Sequence, residues 1–171
     1  MSKIIIVDDF LTNSECEELI TLHKETEPSK IEKGNRILNL EESVENKVWV
    51  KNIVNRLFNE SKKYCDEEIE YGWGEVVFWS EGNYQNCHVD DADPNTVFTS
   101  ISYLNDDYFG GKTFIENEFE ITPRVGRTVF FYGMDYPHGV NKIVEGNRYT
   151  LPIWYNKLSS TLFIQEMTLA K

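Results

Sequence analysis

Residues 97–104, Val97-Phe98-Thr99-Ser100-Ile101-Ser102-Tyr103-Leu104, are rich in β-branched and aromatic side chains and read as a strand. The runs Glu75 to Trp79, Lys112 to Glu116, Phe119 to Thr122, Thr128 to Tyr132 and Tyr149 to Tyr155 share that character. Turn residues separate them at Gly82-Asn83, Asp93-Pro94-Asn95, Asn105-Asp106-Asp107, Gly110-Gly111, Pro123 to Gly126 and Gly146-Asn147, because these residue types accept the dihedrals that tight turns demand. Short strands at this spacing predict a sandwich or barrel.

Upstream the pattern differs. Ile4 to Val7 reads as a short strand, and Ser14 with Glu17 forms an S-x-x-E capping box that opens a helix through Leu19, Ile20 and Leu22, ending near Pro28. Ser29 to Glu42 holds Gly34-Asn35 and no sustained period, so it is expected to be a loop bordering the active site. Val44, Val48, Val50, Ile53, Val54, Leu57 and Phe58 recur at helical spacing and predict a long amphipathic helix to about Tyr64, whose apolar stripe needs a sheet to cover. Leu158 to Lys171 fits strand or helix equally. The class is mainly β with N-terminal helices: one domain over residues 1–171, with a helical support region at 1–70 and a β core at 71–157.

The chain has 171 residues, enough for one substantial core. With 29 acidic against 17 basic side chains its net charge is -12, which repels phosphate backbones and anionic lipid. Nucleic acid is therefore a disfavoured partner and a membrane is not expected. Cys16, Cys65 and Cys87 are odd in number and have no C-x-x-C spacing, which suits reduced thiols rather than a disulfide framework. The apolar run Ile4 to Val7 is too short for a signal segment, so a cytoplasmic protein is expected.

Two of the three histidines lie in the β-rich half, in His88-Val89-Asp90 and in Pro137-His138-Gly139-Val140. If Val89 faces away, residues 88 and 90 emerge on one side of a strand, since strand periodicity is two. His138, brought in from a facing strand, would complete two imidazoles and one carboxylate on one face of an iron, leaving the other face open for cosubstrate and oxygen. Arg148 lies ten residues beyond His138, and residues 148 and 150 project to one side of their strand. The guanidinium's planar fork suits a carboxylate, and a hydroxyl from Thr150 or Tyr103 can add a third contact. His23 is read as structural or surface, and only Asp90 of the Asp90, Asp91, Asp93 cluster is taken as a ligand.

These residues fall in ordered blocks: Gly82 before His88-Val89-Asp90, Ile101 to Asn105, Gly110-Gly111-Lys112-Thr113-Phe114, Pro123 and Gly126 before Phe130-Phe131, His138-Gly139-Val140, Gly146-Asn147-Arg148, and Trp154-Tyr155. The set resembles the prolyl 4-hydroxylase branch of the Fe(II)- and 2-oxoglutarate-dependent dioxygenases. The resemblance implies a double-stranded β-helix, the cupin-like jelly roll. It implies His88, Asp90 and His138 as iron ligands, Arg148 and Tyr103 on the distal carboxylate of 2-oxoglutarate, and Trp154 lining the same pocket. It further implies O2 as cosubstrate, ascorbate as reductant, and a prolyl residue of a peptide or protein as substrate. A free amino acid, a small metabolite or a nucleobase under the same chemistry is an alternative, as is a non-catalytic metal-binding jelly-roll module. The chain departs from the pattern at Trp79, where the branch usually has a tyrosine nine residues before the first histidine, and at Gln85, its usual aromatic being displaced to Tyr84.

Overall fold

The structure, a computed structural model, describes residues 4–43 and 47–158. Strand β1 (Ile5–Val7) leads into helix α1 (Asn13–Glu25). The hairpin β2 (Lys30–Glu32) and β3 (Asn35–Asn39) follows, then the short α2 (Leu40–Ser43) and the long α3 (Val48–Tyr64). The remaining strands are β4 (Ile69–Trp79), β5 (Gln85–His88), β6 (Thr96–Tyr103), β7 (Phe109–Gly110), β8 (Thr113–Ile115), β9 (Phe119–Ile121), β10 (Thr128–Phe131), β11 (His138–Val140), β12 (Ile143–Glu145) and β13 (Arg148–Lys157). They form a seven-stranded sheet in the order β1-β10-β6-β13-β4-β3-β2, a four-stranded sheet in the order β5-β11-β8-β9, and the pair β12-β7. Every pairing is antiparallel. The chain is mainly β with a jelly-roll core, as the sequence implied.

The large sheet separates two environments, and β13 shows how. Leu151, Ile153 and Tyr155 join the core beneath the helices, whereas Arg148, Thr150, Pro152 and Trp154 line a cavity on the other face, as a period of two requires. On the helix side, Val50, Ile53 and Leu57 of α3 are each 2 % exposed or less. Burying such a side chain contributes about 1.5–3 kcal/mol, so this stripe alone rivals the net stability of a domain. The helix therefore depends on the sheet it covers.

Several expectations need correction. Residues 29–42 are not a loop: they contain β2, β3 and most of α2, and β3 pairs with β4 to extend the large sheet. The hairpin turns at Lys33-Gly34, both at positive φ (50° and 83°), which is the type I′ geometry that follows sheet twist. Helix α1 is capped by Thr12 and Glu15, not by Ser14 and Glu17, and it ends at Glu25. Strand β4 begins at Ile69 rather than Glu75. Gly72 is not a break but a fit, because a Cβ there would meet the Trp154 carbonyl oxygen at 2.8 Å. Helix α3 starts at Val48, and Val44 and residues 159–171 lie outside the described residues. His23 is buried at 3 % exposure, its Nε2 2.9 Å from the Arg36 carbonyl. Among the described residues no helix is long and apolar enough to cross a membrane.

Candidate active site

Strands β5 and β11 are neighbours in the small sheet, and their register sets His138 directly opposite His88. The two rings lie 4.5 Å apart between centroids. His138 thus comes from an adjacent strand rather than a facing one. Each ring places its Nδ1 2.9 Å from a backbone carbonyl, Asn86 for His88 and Tyr136 for His138. A carbonyl only accepts, so Nδ1 carries the proton and the Nε2 lone pair is left aimed inward. Burial lowers the pKa of the His138 imidazole from its ordinary value, against the pull of Asp90, which keeps that lone pair available.

Asp90 is not on the strand, which ends at His88. Its approach to the histidines comes instead from long-range contacts. The Asp90 N–H donates to the Gly133 carbonyl (3.1 Å), and Oδ2 accepts from Thr99 Oγ1 (2.6 Å). Oδ1 then stands 3.9 Å from His88 Nε2 and 3.6 Å from His138 Nε2, each within twice an ordinary metal–nitrogen or metal–oxygen bond of about 2.1 Å. Gly133 makes this possible, since a Cβ there would fall 2.1 Å from Asp90 Oδ2. His88, Asp90 and His138 are a three-donor cluster that could hold a metal ion. His138 and Asp90 have side chains 6 % exposed and His88 37 %, so the cluster opens on the His88 side.

The cluster faces a cavity of about 350 Å³ between the two sheets. At one end is Arg148, 1 % exposed. Its guanidinium sits over the rings of Trp79 (5.2 Å) and Tyr103 (5.5 Å) and donates from Nη2 to Thr113 Oγ1 (3.1 Å). The Tyr103 hydroxyl also donates to Thr113 Oγ1 (2.7 Å), so the Thr113 proton is free to point elsewhere. Arg148 Nε has no hydrogen-bond partner, and no carboxylate among the described residues pairs with this buried cation. Thr150 lines the cavity beside it. Trp79 Nε1 is likewise buried without a partner. At the other end Trp73 and Trp154 stack at 4.9 Å and 16°, and Glu75 lies between that pair and Val77 along β4.

Residues 74–156 match the sequence profile of the 2OG-Fe(II) oxygenase superfamily. The match spans 83 of the 171 residues, just under half of the chain. Members use Fe(II), 2-oxoglutarate (2OG) and O2. Human prolyl 3-hydroxylase 3 is 37 % identical over 65 residues, a match covering 34 % of this chain and 9 % of that protein. Among solved structures, the viral collagen prolyl hydroxylase of Paramecium bursaria Chlorella virus-1, as its 2OG complex, superposes with a TM-score of 0.74 at 20 % identity. That superposition covers 91 % of this chain and 96 % of the other. A Trichoplax adhaerens prolyl hydroxylase, bound to a hypoxia-inducible factor peptide, gives 0.71 at 19 % identity, over 90 % and 83 % of the two chains.

The sequence brought forward His88, Asp90, His138, Arg148, Tyr103, Thr150 and Trp154, and the fold gathers all of them at or directly behind one cavity. Gln85, at the position of the missing aromatic, lines the cavity, while Tyr84 is 56 % exposed. Sequence reasoning missed Thr99, Gly133, Trp73 and Glu75. Thr99 could have been found from strand parity with Ile101 and Tyr103. Glu75 shares the parity of Val77 and Trp79, which alternation alone does not assign to the cavity.

Proposed function

We propose that this protein is a hydroxylase in which His88, Asp90 and His138 hold Fe(II) and Arg148 anchors the distal carboxylate of 2OG, with a prolyl residue of a peptide or protein as substrate. The observation that carries the reading is the pairing, within one cavity, of a converging His-Asp-His donor set with a buried guanidinium that lacks an anion. The donor set fits Fe(II), as two neutral imidazoles and one carboxylate leave open coordination positions. A buried cation without a counter-ion fits a dicarboxylate equally well, because desolvating it unpaired is costly. When bound, the iron supplies the coupling of 2OG decarboxylation to insertion of one oxygen atom into a C–H bond, the other atom going into succinate.

The chain's own residues do the rest. The Asn86 and Tyr136 carbonyls hold both imidazoles in one tautomer, and Thr99 turns Asp90 so that Oδ1 faces the histidines. Asp90 would hold the position on the metal that a halide would need, which favours hydroxylation over halogenation. Thr113, accepting from Arg148 and Tyr103 together, offers its proton to the oxoacid, and Thr150 supplies a second hydroxyl. Trp79 presses the guanidinium from one side in place of the usual tyrosine. Trp154 walls the cavity and helps exclude water.

The prolyl substrate is supported by the ordered motif blocks and by the names of the similar proteins, whose own activity and partners belong to them. The test is succinate release from 2OG under oxygen with a panel of proline-containing peptides, alongside a mass gain of one oxygen on the peptide. Succinate that depends on peptide, with the added oxygen on proline, is the expected result. Succinate released equally with and without every peptide, and no modified peptide, would reject the substrate.

A further inference from the structure

We infer that Glu75, walled by the stacked pair Trp73 and Trp154, is a subsite for a positively charged nitrogen on the substrate. The inference rests on reading this cavity as the oxygenase active site. Glu75 takes its place from the alternation of β4: Trp73, Glu75, Val77 and Trp79 all face the cavity, while Val76 packs into the core beneath the helices. Its carboxylate makes no hydrogen bond or ion pair among the described residues. Lys30, whose charge reaches it, pairs with Glu32 and is 61 % exposed on the outer hairpin, and Lys33 at the hairpin turn lines the same cavity without an ion pair to it among the described residues. Arg148 does not neutralise it either. That residue pairs across the sheet with Trp79, and four residues of strand, roughly 13 Å, separate Trp79 from Glu75.

An anion so placed is expensive, since a partly buried carboxylate loses hydration without gaining a partner. Burial raises it to about 7, Lys30 pulling it back and Glu41 and Glu32 adding to the rise. Carboxyls perturbed in this way within a cleft concentrate at functional sites. The neighbouring walls give the sign of the missing partner. Trp73 lies two residues from Glu75 on the same face of β4 and stacks on Trp154, and an outer face of such a stack attracts a cation through the ring quadrupole as the carboxylate does through charge. An ammonium or guanidinium seated there restores the ionised carboxylate, so its binding releases the carboxyl proton. The charged groups around the position are Lys30 and Glu32 of β2, Lys33 of the turn, Glu41 of α2, and Asp91 after His88.

The cation has two possible sources, a basic side chain of a peptide and the amine of a free amino acid, and matched probes separate them. Calorimetry on the full chain, without iron or 2OG, would compare Nα-acetyl-lysine methylamide with its norleucine counterpart, and L-prolinamide with N-acetyl-L-prolinamide. At least one charged member should bind about tenfold or more tightly than its neutral partner, the range of a hydrogen bond to a charged group. That ratio should grow from pH 6 to pH 8 and collapse toward one in Glu75→Gln. A response of the lysine pair assigns a basic peptide, and a response of the proline pair assigns a free amino acid. Equal binding within both pairs, a measurement on the unaltered protein, overturns the subsite, as does a preference that survives Glu75→Gln. Neither result depends on turnover, so failure of the subsite is distinct from failure of the hydroxylase reading.

Discussion

At one end of the cavity Arg148 is 1 % exposed, held between Trp79 and Tyr103 and tied to Thr113. At the other end Glu75 projects from the same sheet face as the stacked aromatic pair, and no donor among the described residues bonds to its carboxylate. One charge is fixed in place by its neighbours and the other is left to be completed. A group that must seat the same small dianion at every turnover gains from preorganisation. A group that meets the variable part of a substrate can leave its final geometry to the ligand. The two charges lie in one cavity yet do not neutralise each other, which is what two separate ligands require.

Breaking the centre between the two ends has the largest expected effect. Asp90→Ala removes the one anionic donor, and succinate production should fall to background, as read in a discontinuous assay. Removing the fixed cation comes next. Arg148→Ala should raise the 2OG concentration needed for half-maximal turnover by about 10–100-fold, because it deletes charge-assisted bonds worth about 1.5–3 kcal/mol. Saturating 2OG should recover much of the rate.

A smaller effect, with no donor atom removed, is expected for Gly133→Ala. Its methyl would displace the Asp90 carboxylate, and loss of an orienting contact commonly weakens metal affinity by about 10–100-fold. Fe(II) titration against a chelating competitor reads it. Removing the unpaired anion should instead stabilise the protein. Glu75 titrates at about 7 when folded, against an ordinary 4.5. The folded state therefore keeps a proton that the unfolded chain releases, and stability falls as pH rises from 4.5 through 7. Glu75→Gln lacks that slope, and above pH 8 it should be more stable by about 1–3 kcal/mol once residual exposure is allowed for. Denaturant melts of both proteins at pH 5 and pH 8 check the sign, and equal differences at the two pH values would break the contrast.

How much of this was legible depends on residue type. His88, Asp90, His138 and Arg148 stood out because histidine is scarce in the chain and the arginine keeps a fixed offset from His138. Asp90 was found for an incomplete reason, as strand parity ends at His88 and the Gly133 and Thr99 contacts come from distant parts of the chain. Glu75 stayed hidden because Val76 and Phe78 on one face of the strand and Val77 and Trp79 on the other are all apolar, so alternation does not say which face is inside. The β2–β3 hairpin escaped notice because all three residues of β2 are exposed and carry no apolar period. The capping box was read two residues late because Thr12-Asn13-Ser14 offers the same pattern in two registers, with Glu15 and with Glu17.

The most direct test of the central claim is an anaerobic titration of the metal-free protein with Fe(II) and 2OG, following visible absorption. A band is expected only when both are present, absent in Asp90→Ala and shifted to higher 2OG concentration in Arg148→Ala. A folded protein that gives no band with both components, or gives it undiminished in Asp90→Ala, would contradict the assignment of the His88, Asp90, His138 cluster and Arg148 to one shared site.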